Sequence, residues 1–229
     1  MNEDLLTMSL DTYEQAAALL AKVGILPLAP LAPRHPSLVG LTASEQWHTD
    51  LETDPWTWRV RFPATGAAAY GKFIKGKAVL IDRDWFPLVL RAAADARSVD
   101  QRYRDGMLSK AAQLVYHAVK EHEGIDTRKL RVACGMQAKE DKKAFDKAVA
   151  ELQSTWDIVI SGIKKKTNSA GEVNGWSAAA YETTAHWMES HGLEADTGAR
   201  SAAAGELLER LEQVCTPEAT AYFQKIWSL

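Results

Sequence analysis

Between Met107 and Glu123, residues Leu108, Ala111, Ala112, Val115, Val119 and His122 recur at helical spacing, with Lys110, Gln113, His117, Lys120 and Glu121 mainly on other faces. Asp126 or Thr127 can cap a second, short helix through Leu130 and Cys134 that Gly135 ends. A third helix is predicted over Lys139 to Thr155, with Phe145, Ala148, Val149 and Leu152 as its core face. Two strand-like runs follow, Trp156–Ile160 and Trp176–Thr183, separated by a polar loop holding Gly171 and Gly175. Three helices and then a hairpin is the order of a winged helix, because a helix-turn-helix has little core of its own and a hairpin against it adds buried area. The expected fold is therefore α+β, with a helix-turn-helix and β-hairpin wing over 105–185.

Upstream, Leu10 to Val23 reads as a helix with Asp11 as N-cap and Gly24 as its stop. Pro27, Pro30, Pro33 and Pro36 make the next stretch a packed extended connector. A short helix near Ser44 to Leu51 is expected, and Trp58-Arg-Val-Arg-Phe62 alternates like a half-buried strand. Ala69–Ile74 and Ala78–Ile81, joined by Lys75-Gly76-Lys77, read as a hairpin, and Asp82 as the cap of a helix through Leu90. The charged, weakly patterned run Ala92 to Asp105 reads as a linker. This divides the chain into an N-terminal α/β unit (1–104), the winged helix (105–185) and closing helices (186–229), and leaves room for a tandem arrangement of two winged helices.

The net charge of −3 hides an uneven distribution. Residues 1–57 hold eight acids against two bases and 182–229 eight acids against three, while 58–181 hold 22 bases against 14 acids. A basic centre between acidic ends suits a polyanion surface, because phosphates are neutralised by clustered cations. Lys139, Lys143 and Lys147, four residues apart, form a stripe flanked by Lys142, and Lys164, Lys165 and Lys166 begin the wing loop. Ammonium groups reach backbone phosphates but do not read bases bidentately, so shape-directed or non-specific DNA binding is expected. The plainer reading is a solvated helix face in which these lysines pair with Glu140, Asp141, Asp146 and Glu151, and winged helices also serve as protein-docking modules.

A second constellation is acidic and aromatic: Trp47-His-Thr-Asp50, Glu52, and Asp54-Pro-Trp56-Thr-Trp58-Arg59, with Tyr70 and Lys72 nearby. A carboxylate beside tryptophans can activate water next to an aromatic wall for a flipped base, which makes Asp54, Trp56, Trp58 and Tyr70 a candidate pocket. The structural alternative is a capped turn whose tryptophan anchors the core. His117/His122 and His186/His191 lie five apart, on different helix faces, and Cys134 and Cys215 fit no zinc spacing, so no metal is expected. No glycine loop matches a nucleotide or dinucleotide pattern, and no cofactor is expected. No apolar run is long enough for a membrane span and the N-terminus lacks a basic leader, which predicts a cytoplasmic protein.

The segments Asp54-Pro-Trp-Thr-Trp-Arg59, Ala69-Tyr-Gly-Lys-Phe73, Arg83-Asp-Trp-Phe-Pro87 and Gly175-Trp-Ser-Ala-Ala-Ala-Tyr181 resemble the AlkZ (YcaQ)-related proteins, in particular a shorter branch. The resemblance covers most of the chain and implies a winged-helix fold and kinship to DNA-repair glycosylases that excise alkylated bases and unhook interstrand crosslinks. Those enzymes position water with a Gln-x-Asp or Gln-x-Gln motif. The corresponding stretch is Gly24-Ile-Leu-Pro-Leu-Ala29, and Pro27 and Ala29 carry no group that orients water. The resemblance thus implies DNA binding without the usual catalytic pair, or a glycosylase whose carboxylate, such as Asp50 or Asp54, lies elsewhere.

Overall fold

A computed structural model describes residues 3–165 and 177–229. After a 3-10 turn at Glu3–Leu6, α1 (Tyr13–Val23) begins at Thr12, whose hydroxyl accepts from the Gln15 amide while the Gln15 side chain reaches back to the cap. The cap is thus Thr12 and not Asp11. Gly24 ends the helix at φ +72°, where a Cβ would stand 2.2 Å from the Trp85 ring, so both conformation and space demand glycine. β1 (Ile25–Pro27), α2 (Leu38–Leu41) and a 3-10 turn at Ser44–Gln46 lead to α3 (Pro55–Ala64). The helix expected through Leu51 is only that 3-10 turn.

The strand expected at Trp58–Phe62 is helical. Asp54 caps α3 and Pro55 occupies the first turn, where its missing N–H costs nothing. Trp58 and Phe62, four residues apart, bury one helical face, whereas Val60 between them is only half-buried. The alternation is real, but a spacing of four satisfies both periods.

β2 (Ala68–Ile74) and β3 (Lys77–Asp82) form the expected hairpin, turning at Lys75 and Gly76, both at positive φ as a tight hairpin turn requires. Then come α4 (Phe86–Ala93) and α5 (Val99–Arg104). α5 lies within the segment expected to be a linker, and it carries a buried side chain, Arg102, that donates to Asp157.

The second half runs α6 (Lys110–Glu121), β4 (Ile125–Asp126), α7 (Thr127–Ala133), α8 (Lys142–Ser154), β5 (Ile158–Lys164) and β6 (Ala178–Thr183). Lys139 falls in the turn before α8, where its carbonyl accepts from the Lys142 amide, and not in the helical stripe. The chain ends with α9 (Thr184–Ser190), α10 (Arg200–Val214) and α11 (Pro217–Trp227).

The fold is α+β, with two antiparallel three-stranded sheets, β1-β3-β2 and β4-β6-β5. They are built alike. In each, a helix leads to an edge strand, two helices intervene, and a hairpin returns so that its last strand sits in the centre. Pro27 is tolerated because β1 is an edge. Even the irregularities match: β2 bulges between Gly71 and Ile74, and β5 between Ile160 and Gly162.

The two units pack reciprocally. α3 lies on β5, α8 lies on β2, and β2 meets β5. β2 and β3 are consequently buried on both faces, and the core forms two clusters, each drawing on both units. Tyr70, Leu80, Phe145 and Ile158 belong to one cluster, and Ile81, Phe73, Trp156 and Trp187 to the other, where the rings of Phe73 and Trp156 stack at 4.8 Å. α4 and α10 close the second cluster from outside.

Candidate functional site

α8 buries Phe145, Ala148, Val149 and Leu152 and leaves Lys142, Lys143 and Lys147 exposed on its outer side. Its acids are largely committed. Glu151 accepts from the amide and hydroxyl of Ser109, and Asp146 pairs with Lys142 at 3.6 Å. Lys139, Lys143, Lys147, Lys164 and Lys165 are all exposed, and among the described residues none has a carboxylate within ion-pair distance. α8 also touches β5, whose last residue is Lys164, with Lys165 following it. Lys166 lies outside the described residues.

The end of β5 is fixed from α7. Asp126, buried at the head of that helix, accepts from the amides of Arg128 and Lys129, and the Arg128 guanidinium donates to the Lys164 carbonyl at 3.1 Å. Arg131 clamps the turn into α8 through the carbonyls of Met136, Gln137 and Ala138. Two basic residues of α7 therefore hold the lysine-bearing elements in place, a role that the residue pattern alone did not reveal.

Lys164 stands where two clefts meet. One, of about 490 Å³, opens between α3 and the β5–β6 sheet and is lined by Thr57, Val60, Arg61, Ser161, Gly162 and Glu182 among others. The other, of about 450 Å³, lies beside α7 with Lys129 and Val132.

The aromatic constellation resolves differently. Asp54 is fully buried, and its carboxylate accepts from four backbone amides: His48 at 3.1 Å, Thr49 at 2.9 Å, Asp50 at 3.1 Å and Trp56 at 2.8 Å. The loop closes around it with His48 and Asp50 at positive φ, at a cost of roughly 1 kcal/mol each. Trp58 is buried in the core and donates to the Glu52 carbonyl, whereas Trp56 is 42% exposed, with the Arg59 guanidinium 3.4 Å over its ring. Tyr70 is buried, and burial pushes its pKa up against the opposing pull of the nearby Arg59 charge. Of these four side chains only Trp56 and Tyr70 come close to Arg59, and none of the four lines either of the two clefts beside Lys164.

The Cys215 thiol lies 3.7 Å from Nδ1 of His35, whose Nε2 donates to the Ile25 carbonyl. Burial pushes the thiol up to about 12 and the imidazole down, so the pair is neutral and lacks the thiolate that nucleophilic chemistry needs. Among the described residues no cluster of His, Cys, Asp and Glu could hold a metal ion, and no helix is long and apolar enough to cross a membrane.

The family model described as AlkZ related matches residues 10–228. No curated protein and no solved structure matches the chain.

Proposed function

Because the chain belongs to the AlkZ-related family, we propose that it binds DNA, with each of its two repeated units a winged helix and the second supplying the main phosphate-binding surface. The observation that carries this reading is the set of exposed lysines that, among the described residues, have no ion-pair partner: Lys139, Lys143, Lys147, Lys164 and Lys165, around the third helix and hairpin of the second unit. Lys142 stands beside them, paired to Asp146, and Lys166 follows in sequence. Lysines give phosphate neutralisation without base reading, so binding is non-specific or shape-directed. Support for binding over hydrolysis comes from two places. Pro27, buried in β1, and Ala29 offer no water-orienting group, and Asp54 is saturated by backbone donors.

Fluorescence anisotropy of a labelled duplex across a salt series tests the reading. Affinity is expected to fall linearly on logarithmic axes, and replacing Lys143, Lys147, Lys164 and Lys165 by Ala is expected to flatten the slope by about 0.9 for each phosphate that is no longer neutralised. Binding that is absent at low salt, or indifferent to salt, sinks the proposal and favours a protein-docking role.

A further inference from the structure

The reciprocal packing creates two equivalent seams, and only one is sealed. Where α8 meets the β2 bulge, Gln153, 1% exposed, accepts from the Lys72 amide at 2.8 Å and donates to the Val149 carbonyl. The seam is closed. Where α3 meets the β5 bulge, among the described residues no hydrogen bond joins helix to strand, and the cleft of about 490 Å³ opens instead. None of the residues 24–29 lines it.

Its lining is mixed in a specific way. Thr57 and Val60 from α3 face a sheet wall that includes Gly162 and Ala180. Lys164 and Arg61 supply positive charge, Arg61 being shared with Glu14 at 3.6 Å, while Glu182 and Ser161 supply acceptors. Cations suit a phosphate, a carboxylate accepts from an exocyclic amine, and flat apolar walls suit a ring. We propose that this cleft takes a single nucleotide, its phosphate toward Lys164 and Arg61 and its base edge toward Glu182. Lys164 also belongs to the proposed DNA surface, so the occupant is either a free mononucleotide or an unpaired nucleotide of the bound strand, and to that extent the inference rests on the DNA-binding reading.

Gly162 provides the test. Its φ is ordinary for an L-residue and nothing lies within 4 Å of where a Cβ would stand, so Gly162→Leu fills the cleft without straining the strand. Three ligands are titrated against the native chain and this variant: free AMP, a fully paired duplex, and the same duplex with one central unpaired nucleotide. The unpaired site is expected to bind at least about 10-fold tighter than the paired duplex, equivalent to about 1.4 kcal/mol. Gly162→Leu is expected to abolish that preference while leaving paired-duplex affinity and melting temperature unchanged, and Glu182→Gln to weaken it. AMP binding lost in Gly162→Leu identifies a free nucleotide as an occupant; a preference confined to the duplex identifies the strand. Neither AMP binding nor a preference, or a preference that survives Gly162→Leu, overturns the proposal. Absence of all paired-duplex binding in the native chain instead overturns the DNA-binding reading, and the AMP arm still reports on the cleft.

Discussion

Asp54 shows how one carboxylate organises a segment. Four amides point at it in a fully buried position, so removing it leaves orphan donors as well as an uncapped helix. Asp54→Ala is expected to lower stability by about 3 kcal/mol in urea unfolding, and Asp54→Asn, which keeps one acceptor oxygen, by less. A decrease below about 1 kcal/mol would show that the loop holds itself. His35 makes a second residue-scale case. Burial holds its folded-state pKa below 6.5, so the unfolded chain takes up the proton first. Its contribution is complete above about pH 6.5 and is lost as pH falls toward the folded value, with a limiting slope of about 1.4 kcal/mol per unit. Stability measured from about pH 7.5 to about pH 5.5 is expected to fall more steeply in the native chain than in His35→Gln; equal slopes refute the assignment.

At the scale of elements, local signals and packing divided the decisions. The β2–β3 turn and α6 follow from turn chemistry and periodicity. α3 did not, because Trp58, Val60 and Phe62 fit a strand as well as a helix, and the Asp54-Pro55 start signal was the discriminating cue. α5 was hidden because its buried polar residue is Arg102, whose pairing partner Asp157 lies 55 positions away. Gln153 illustrates the same limit: nothing in its neighbourhood reveals that its amide seals a bulge 81 positions upstream. Gln153→Leu keeps the volume but orphans the Lys72 amide, and is expected to cost about 2 kcal/mol in chemical denaturation. A neutral result would mean that the bulge finds another acceptor.

For the whole molecule, interleaving of the units has a thermodynamic consequence. Both core clusters draw on both units, so neither unit can lose its packing without exposing the other. Unfolding is therefore expected to be one cooperative transition, with tryptophan fluorescence and far-ultraviolet circular dichroism coinciding; two separated transitions would contradict it. The sequence alone determined most helices, both hairpins, the α+β class, the family resemblance and the basic centre, because caps, turns and periodicity act over a few residues. Tertiary structure decided that the topology occurs twice, that Asp54 is a caged cap, that Lys143 and Lys147 face outward while Glu151 is held by Ser109 and Asp146 pairs with Lys142, and that one seam is sealed and its counterpart open. Those outcomes depend on which surfaces meet across tens of residues, and the energy of such meetings has no signature in any short stretch of chain.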